Sequence, residues 1–267
     1  MSHKCQSLLL DRRGRQTAQL ATLAHDFESD HLIPEHFHPE DQLIFASKGV
    51  MTVRTKQGIW VVPPLRAVWI PAETPHSVAI LGPVSMRTLY FAPKRVRTEA
   101  QKCFVMNVSS LLRELILHAC KFPKLKKELP VQRRIIEMIA DQLENVHSIP
   151  LQLPHPTDCR AMRVVHALLA EPGSERTLAA LCEDCGASKR TIERRFLAET
   201  KMTFSQWRQQ LRLLHAMQLL ASGEKVTEAA LDAGYSSASA FIVMFRRQLG
   251  QTPRRYFASG ESAAESA

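Results

Sequence analysis

The chain has 267 residues, a formal net charge of +9 at pH 7 and 45% hydrophobic residues, which allows one large or two ordinary domains with packed cores. The positive balance favours an anionic partner and leaves the fold open. No apolar run approaches the ~18–20 residues of a membrane span, the run near the start is too short for a secretory signal, and the cysteines are scattered, so the expected setting is soluble, reducing and cytoplasmic, with no membrane partner. From residue 17 to about 93 the texture is β. Short Val-, Ile-, Leu- and Trp-rich runs at 42–47, 50–55, 59–62, 67–70, 76–81 and 85–91 are broken by turn signals such as Lys48-Gly49 and Gln57-Gly58. Many short strands at close spacing predict a small sandwich or barrel.

Inside this region stand His36-Phe37-His38, Gln42, Gly49 and, later, Trp69-Ile70-Pro71-Ala72-Glu73-Thr74-Pro75-His76. The order resembles the two half-motifs of the cupin barrel, which implies a cupin-like barrel over 1–106. His36 and His38 share parity on an extended strand, so both side chains face one way, and His76 joins them where that way is inward. Cupin enzymes hold a metal with such a trio and a carboxylate. Here Gln42 stands at the carboxylate position, a poor ligand for Mn²⁺ or Fe²⁺. The trio therefore reads either as the lining of a small-molecule pocket or as a divalent-metal site at His36, His38 and His76. The missing carboxylate sets the expectation at an effector pocket of His36, His38, Gln42, Trp69 and His76, with no metal or other cofactor; Trp60 and Tyr90 are further lining candidates.

From residue 107 the texture turns helical. Leu111, Leu112, Leu115, Ile116 and Ala119 form one apolar face, and Val131, Ile135, Met138, Ile139, Leu143 and Val146 another, in a second helix starting near Pro130. Pro150, Pro154 and Pro156 exclude a helix and predict a linker over 148–157.

From 158 onward the chain reads as all-α. Asp158 caps a helix over 159–169. Thr177 caps another, Gly186 turns the chain, and Ser188 caps a third whose Ile192 and Phe196 face inward. A long helix over 204–221 follows, carrying Trp207, Leu211, Leu214 and Leu219. A short helix then ends at Gly234, and Ser236 and Ser237 offer caps for a helix carrying Phe241, Phe245 and Leu249, closed by Gly250 and Pro253. Two such pairs, each with a Gly turn, read as two helix-turn-helix units. The long helix spans about 27 Å at ~1.5 Å per residue, near the ~34 Å between successive major-groove segments on one face of DNA.

Ala229 or Ala230, Gly234, Tyr235, Ser236, Ser239, Phe241, Phe245, Arg246, Gly250, Pro253, Arg255 and Tyr256 resemble the signature of the AraC/XylS (arabinose-regulator) transcription factors. The resemblance implies an α+β chain of two domains: the barrel, a helical dimerisation region over 107–147, the linker, a double helix-turn-helix domain over 158–258 and a disordered tail over 259–267. It implies a regulator that binds double-stranded DNA as a homodimer, answers to a small-molecule effector, controls a nearby transporter or metabolic gene, and touches RNA polymerase where it activates. A cupin metalloenzyme with an appended DNA-binding unit is the rival, and Gln42 argues against it; no enzymatic activity is expected. Base edges are read near the start of the second helix of each unit. The candidates are Ser188, Lys189, Arg190, Glu193, Arg194 and Arg195 in the first, and Ser237, Ala238, Ser239, Arg246 and Arg247 in the second. Arg190 and Arg194 are the guanine-reading pair. The second set lacks long donors near its start, so it is expected to anchor rather than discriminate.

Overall fold

The computed structural model describes residues 3–5, 7–9, 18–96, 102–144, 146, 148–149 and 151–262. The strands are β1 (His3–Lys4), β2 (Leu20–Phe27), β3 (His31–Phe37), β4 (Asp41–Lys48), β5 (Met51–Thr55), β6 (Gly58–Val62), β7 (Arg66–Ile70), β8 (His76–Ile80), β9 (Val84–Phe91), β10 (Phe104–Asn107), β11 (Lys124–Leu125), β12 (Ser148–Ile149) and β13 (Gln152–Pro154). The helices are α1 (Ser110–Ala119), α2 (Pro130–Glu144), α3 (Cys159–Ala170), α4 (Leu178–Cys185), α5 (Lys189–Thr200), α6 (Phe204–Ala221), α7 (Val226–Asp232), α8 (Ala238–Leu249) and α9 (Pro253–Ser262). Two compact units result, Met1–Thr55 with Trp60–Leu151 and Lys56–Ile59 with Gln152–Ala267.

The first unit is built on a seven-stranded sheet in the order β11-β2-β9-β4-β7-β10-β12 and a second sheet running β1-β3-β8-β5-β6. Among the described residues neither sheet closes on itself, so the cupin-like unit is a double-sheet sandwich and not a closed barrel. β4 is buried on both faces from Asp41 to Ala46. Its Leu43 and Phe45 join Trp69, Leu89 and Phe91 in a core with Leu112, Ile116, Ile135, Ile136, Ile139 and Leu143 of α1 and α2. The helices thus cover one face of the seven-stranded sheet, and Gln42 and Ile44 lie on the other.

Ser109 caps α1 through its hydroxyl, which accepts from the Leu112 N–H at 3.1 Å. The helix faces differ from the spacing-based expectation. Leu111 is 49% exposed, Val131 60% and Met138 44%, while Ile136 and Ala140 are buried instead. An apolar period names a stripe wider than the buried seam, and the sheet selects its position within that stripe. The segment over 148–157, read as a linker, is partly strand: Ser148 and Ile149 pair with Met106 and Val105 at one edge of the seven-stranded sheet.

In the second unit α3, α4 and α5 form one group with the start of α6, and α7, α8 and α9 another. α6 is buried at Trp207, Leu211, Leu213, Leu214, Ala216 and Met217, on more than the single stripe its period suggests, because it serves both groups. Phe196 meets Phe204 and Trp207 edge-on, each at 5.4 Å between centroids. A capping box at Thr203 and Gln206 starts α6. α9 continues to Ser262, into the stretch expected as a disordered tail; 263–267 lie outside the described residues.

Asp158 ties this unit together. Its carboxylate accepts from the Arg160 N–H at 2.9 Å and the Ala161 N–H at 3.4 Å, and pairs with Arg160 at 2.8 Å and Arg195 at 3.2 Å. The Arg160 guanidinium, ahead of the backbone donors of Arg160 and Ala161, holds Asp158 well below the usual carboxylate range. A lowered folded pKa adds stability above the unfolded value of about 3.9 that is lost as pH falls through the folded value. Asp158→Asn, which keeps a capping oxygen, is therefore expected to lower the urea midpoint at pH 7, with the difference beginning to shrink as pH falls below about 4 and closing only at pH values below the folded carboxyl's own lowered value. A constant difference across that range would remove the charge from the explanation.

Candidate effector pocket and DNA interface

β3 and β8 pair antiparallel with His36 opposite His76, after a register shift between Ile33 and His36. Pro34 lies in that interval. A bulge at a proline interrupts strict alternation and re-aims the side chains that follow. His38 sits just past the end of β3, and the three rings cluster with centroids 4.4 Å (His36–His76), 5.3 Å (His38–His76) and 6.0 Å (His36–His38) apart. His38 and His76 are buried and His36 is half-buried.

Each Nδ1 faces a nearby main-chain carbonyl: His36 to Pro34 at 2.8 Å, His38 to Glu40 at 2.9 Å and His76 to Thr74 at 2.8 Å. A carbonyl only accepts, so each Nδ1 donates. Burial pushes His76 down to about 3; the Thr74 carbonyl opposes the shift, and His36 and His38 add to it. The imidazole of His76 is thus neutral at physiological pH.

Gln42 faces the same space, with its Oε1 3.1 Å from His38 Nε2. Tyr90 stands directly opposite Gln42 across β4 and β9, its ring 5.2 Å from that of His38. Burial pushes the Tyr90 phenol up to about 12. Trp69 does not belong to this group. It pairs with Leu43 and not with Gln42, so it points to the opposite face, where its ring lies tilted 5.7 Å from that of Phe91 in the core under the helices. Among the aromatic candidates, Tyr90 takes the place assigned to Trp69.

Glu40, which the sequence did not single out, is 1% exposed. The Ser7 hydroxyl donates to its Oε1, as does the Leu8 N–H at 2.9 Å, while Oε2 lies 3.9 Å from His38 Nδ1. Glu40 stands in the polar run Glu35-His36-Phe37-His38-Pro39-Glu40-Asp41-Gln42, where nothing in linear order reveals its burial.

In the second unit the two helix-turn-helix pairs are α4–α5 and α7–α8. Gly186 and Gly234 turn the chain with φ of 66° and 81°. The Ser188 and Ser237 hydroxyls cap the second helices, accepting from Thr191 N–H and Ala240 N–H, each at 3.2 Å. Lys189, Arg190, Glu193 and Arg194 are all exposed and line an open groove of about 650 Å³. Lys189 and Glu193 pair at 3.8 Å. Arg195 turns toward the start of α3: its guanidinium pairs with Asp158 at 3.2 Å and Glu199 at 3.5 Å, which braces α5 against that helix. On α8, Ser239, Val243, Arg246 and Arg247 are exposed and Ala238 is half-buried. Cys182 and Cys185 are buried, as packing residues of α4.

A β domain bearing an inward polar cluster, joined to paired helix-turn-helix units with exposed cationic second helices, defines a DNA-binding regulator that carries its own sensor. Residues 22–183 match the AraC-like ligand binding domain and residues 181–259 the Helix-turn-helix domain. The chain is 34% identical over 241 residues to the HTH-type transcriptional regulator NimR of Escherichia coli strain K12, covering 90% of this chain and 88% of that protein. It is 30% identical over 103 residues to the HTH-type transcriptional activator RhaR of Klebsiella pneumoniae, covering 38% of this chain and 37% of that protein. A crystal structure of ToxT from Vibrio cholerae with an unsaturated fatty acid bound aligns at 12% identity over 91% of this chain and 95% of that one, with a TM-score of 0.38. The chain belongs to the AraC family of transcription regulators.

Proposed function

We propose that this protein is a homodimeric regulator that binds an operator near its own gene, takes a small effector at the inner face of its β domain, and adjusts transcription of a neighbouring transporter or metabolic gene. The exposure of both recognition helices with their cationic side chains carries the reading. Double-stranded DNA is its partner through α5 and α8, and RNA polymerase joins where it activates. The relatives are transcription regulators, which supports a non-enzymatic role in the cytoplasm; among the described residues no helix is long and apolar enough to cross a membrane. The effector-binding residues are His36, His38, Gln42, His76 and Tyr90.

Dimerisation is supported by the apolar strip left uncovered on the first unit. Val131 and Met138 lie two turns apart on α2, and the Ser109 hydroxyl donates to Gln142 Oε1 at 3.2 Å, which brings Leu111 of α1 toward the same end. Footprinting on the DNA upstream of the gene is expected to show protection over two adjacent major-groove segments per protomer. Sedimentation should give a dimer for wild type and a monomer for Val131→Glu/Met138→Glu, with weaker protection. An unchanged dimer in that variant would move the interface elsewhere, and no protected segment would overturn the operator assignment.

A further inference from the structure

We propose that Arg208 and Arg212 of α6 are positioning residues that fix the spacing between the two operator segments read by α5 and α8, without touching a base themselves. The two side chains are four residues apart and therefore share one face of α6. Both donate to the Ser174 carbonyl in the turn after α3, Arg208 through its Nη2 and Arg212 through its Nη2 at 3.0 Å. Arg208 Nη1 also donates to the Arg176 carbonyl at 2.6 Å, and the Arg176 side chain pairs with Asp184 of α4 at 2.5 Å. The first helix-turn-helix pair is thus tied to α6. On its other side the Arg212 guanidinium stands against the turn between α7 and α8, where a Cβ added to Gly234 would lie 2.9 Å from Arg212 Cζ. The next residue, Tyr235, packs its ring 5.2 Å from that of Phe241 in α8. One guanidinium therefore meets a carbonyl leading into the first pair and the turn of the second.

Stability alone does not account for this arrangement. Burial, and after it the neighbouring Arg212, pulls the Arg208 guanidinium down, and among the described residues no ion pair to a carboxylate holds either side chain. The Nε atoms of both are buried without a hydrogen-bond partner, which costs free energy. Apolar side chains of the same reach would fill the space at less cost; what charged N–H groups aimed at one carbonyl add is a defined geometry. The distances match the task. One base pair shifts a reading helix by ~3.4 Å along DNA and turns it by about 35°. The Arg212 hydrogen bond at 3.0 Å does not survive a displacement of that size. Nor can the two turns slide past each other, since a Cβ on Gly173 would lie 2.1 Å from the Asp232 carbonyl oxygen. The length of α6 sets a coarse separation, and the two arginines remove the remaining freedom of about one base pair.

The spacing role rests on the reading that each protomer takes two adjacent major-groove segments. Full-length wild type, Arg212→Lys and Arg208→Met/Arg212→Met are each used to select from a randomised duplex pool, and the wild-type duplex is remade with one base pair inserted between its two motifs. Wild type is expected to recover two motifs at a single separation, and the insertion should weaken its binding at least about tenfold, the cost of one lost base contact. Both variants should recover the same two motifs at separations spread by one base pair, with the insertion costing less than about threefold. Arg212→Lys keeps the charge and loses the planar fork, so it should behave like the double variant. Circular dichroism establishes folding, and Arg212→Lys, the milder change, carries the test where the double variant does not fold. A single separation in the folded variants would overturn the proposal. So would a salt dependence lowered by about one phosphate contact at a fixed separation, which would place the arginines on the DNA backbone, or loss of both motifs in a folded variant. A single motif for wild type would defeat the two-segment reading and the spacing role with it, whereas two wild-type motifs with unchanged separation in the variants would defeat the spacing role alone.

Discussion

Gly234→Ala is expected to destabilise the helix-turn-helix domain by about 2–5 kcal/mol, well beyond Gly186→Ala or Gly250→Ala in the same domain. The residue has φ 81°, and an added Cβ would lie 2.6 Å from the Gly173 carbonyl oxygen and 2.9 Å from Arg212 Cζ. The left-handed conformation costs about 1–2 kcal/mol for a residue with a Cβ, and forcing atoms into a packed contact adds about 1–3 kcal/mol. The backbone has no room to retreat. A Cβ on Gly173 would itself lie 2.1 Å from the Asp232 carbonyl oxygen, and Arg212 is held where it is by donating to the Ser174 carbonyl at 3.0 Å. This close approach joins the turn after α3 to the turn between α7 and α8, so the loss is felt in both helix groups. Gly186→Ala and Gly250→Ala, with left-handed φ but nothing within 4 Å of the added carbon, should each cost only the conformational part, about 1–2 kcal/mol. Urea denaturation followed by helical circular dichroism ranks the three. Equal costs would mean that the Gly173–Gly234 contact does not constrain the domain.

Arg194→Ala and Arg190→Ala are each expected to weaken operator binding by about 1–3 kcal/mol, the usual worth of a bidentate base contact, and to relax base preference at one position. Both side chains are exposed on α5 one turn apart, and among the described residues no ion pair holds either in the way Asp158 and Glu199 hold Arg195. Arg246→Ala, in the last turn of α8, should weaken binding evenly across sequences and lower the salt dependence by about one phosphate contact. The asymmetry follows from chemistry: α8 offers Ser239 and Val243, the latter 69% exposed, which reach thymine methyls and phosphates and carry no bidentate donors. A randomised-site binding selection checks the division. A new preferred motif for Arg246→Ala with an unchanged one for Arg194→Ala would reverse it.

Local chemistry was the legible part of this chain. Asp158, Thr177, Ser188 and Ser237 are N-caps, and Gly186, Gly234 and Gly250 adopt left-handed turns, because caps and glycine stops depend on a few consecutive residues. That is why α6 and both helix-turn-helix pairs were placed closely, and why strands from 42 to 91 were found within a residue or two. β2 and β3 were read only as β texture. Charged and polar residues such as His25, Asp26, His31 and Glu35 interrupt the apolar pattern there, and both strands are largely exposed.

The sequence by itself determined the order of elements, the paired DNA-reading helices and the three histidines as a group, since each depends on spacing along the chain. Only the tertiary structure decided which face each side chain takes. Alternation puts Gln42 and Leu43 on opposite faces of β4 but does not say which face the helices cover, so Trp69 was assigned to the pocket and lies in the core. The burial of Glu40, the bracing of Arg195 and the exposure of Leu111, Val131 and Met138 have the same origin. Each is set by a partner far away in sequence, and no local rule of period or parity contains that partner.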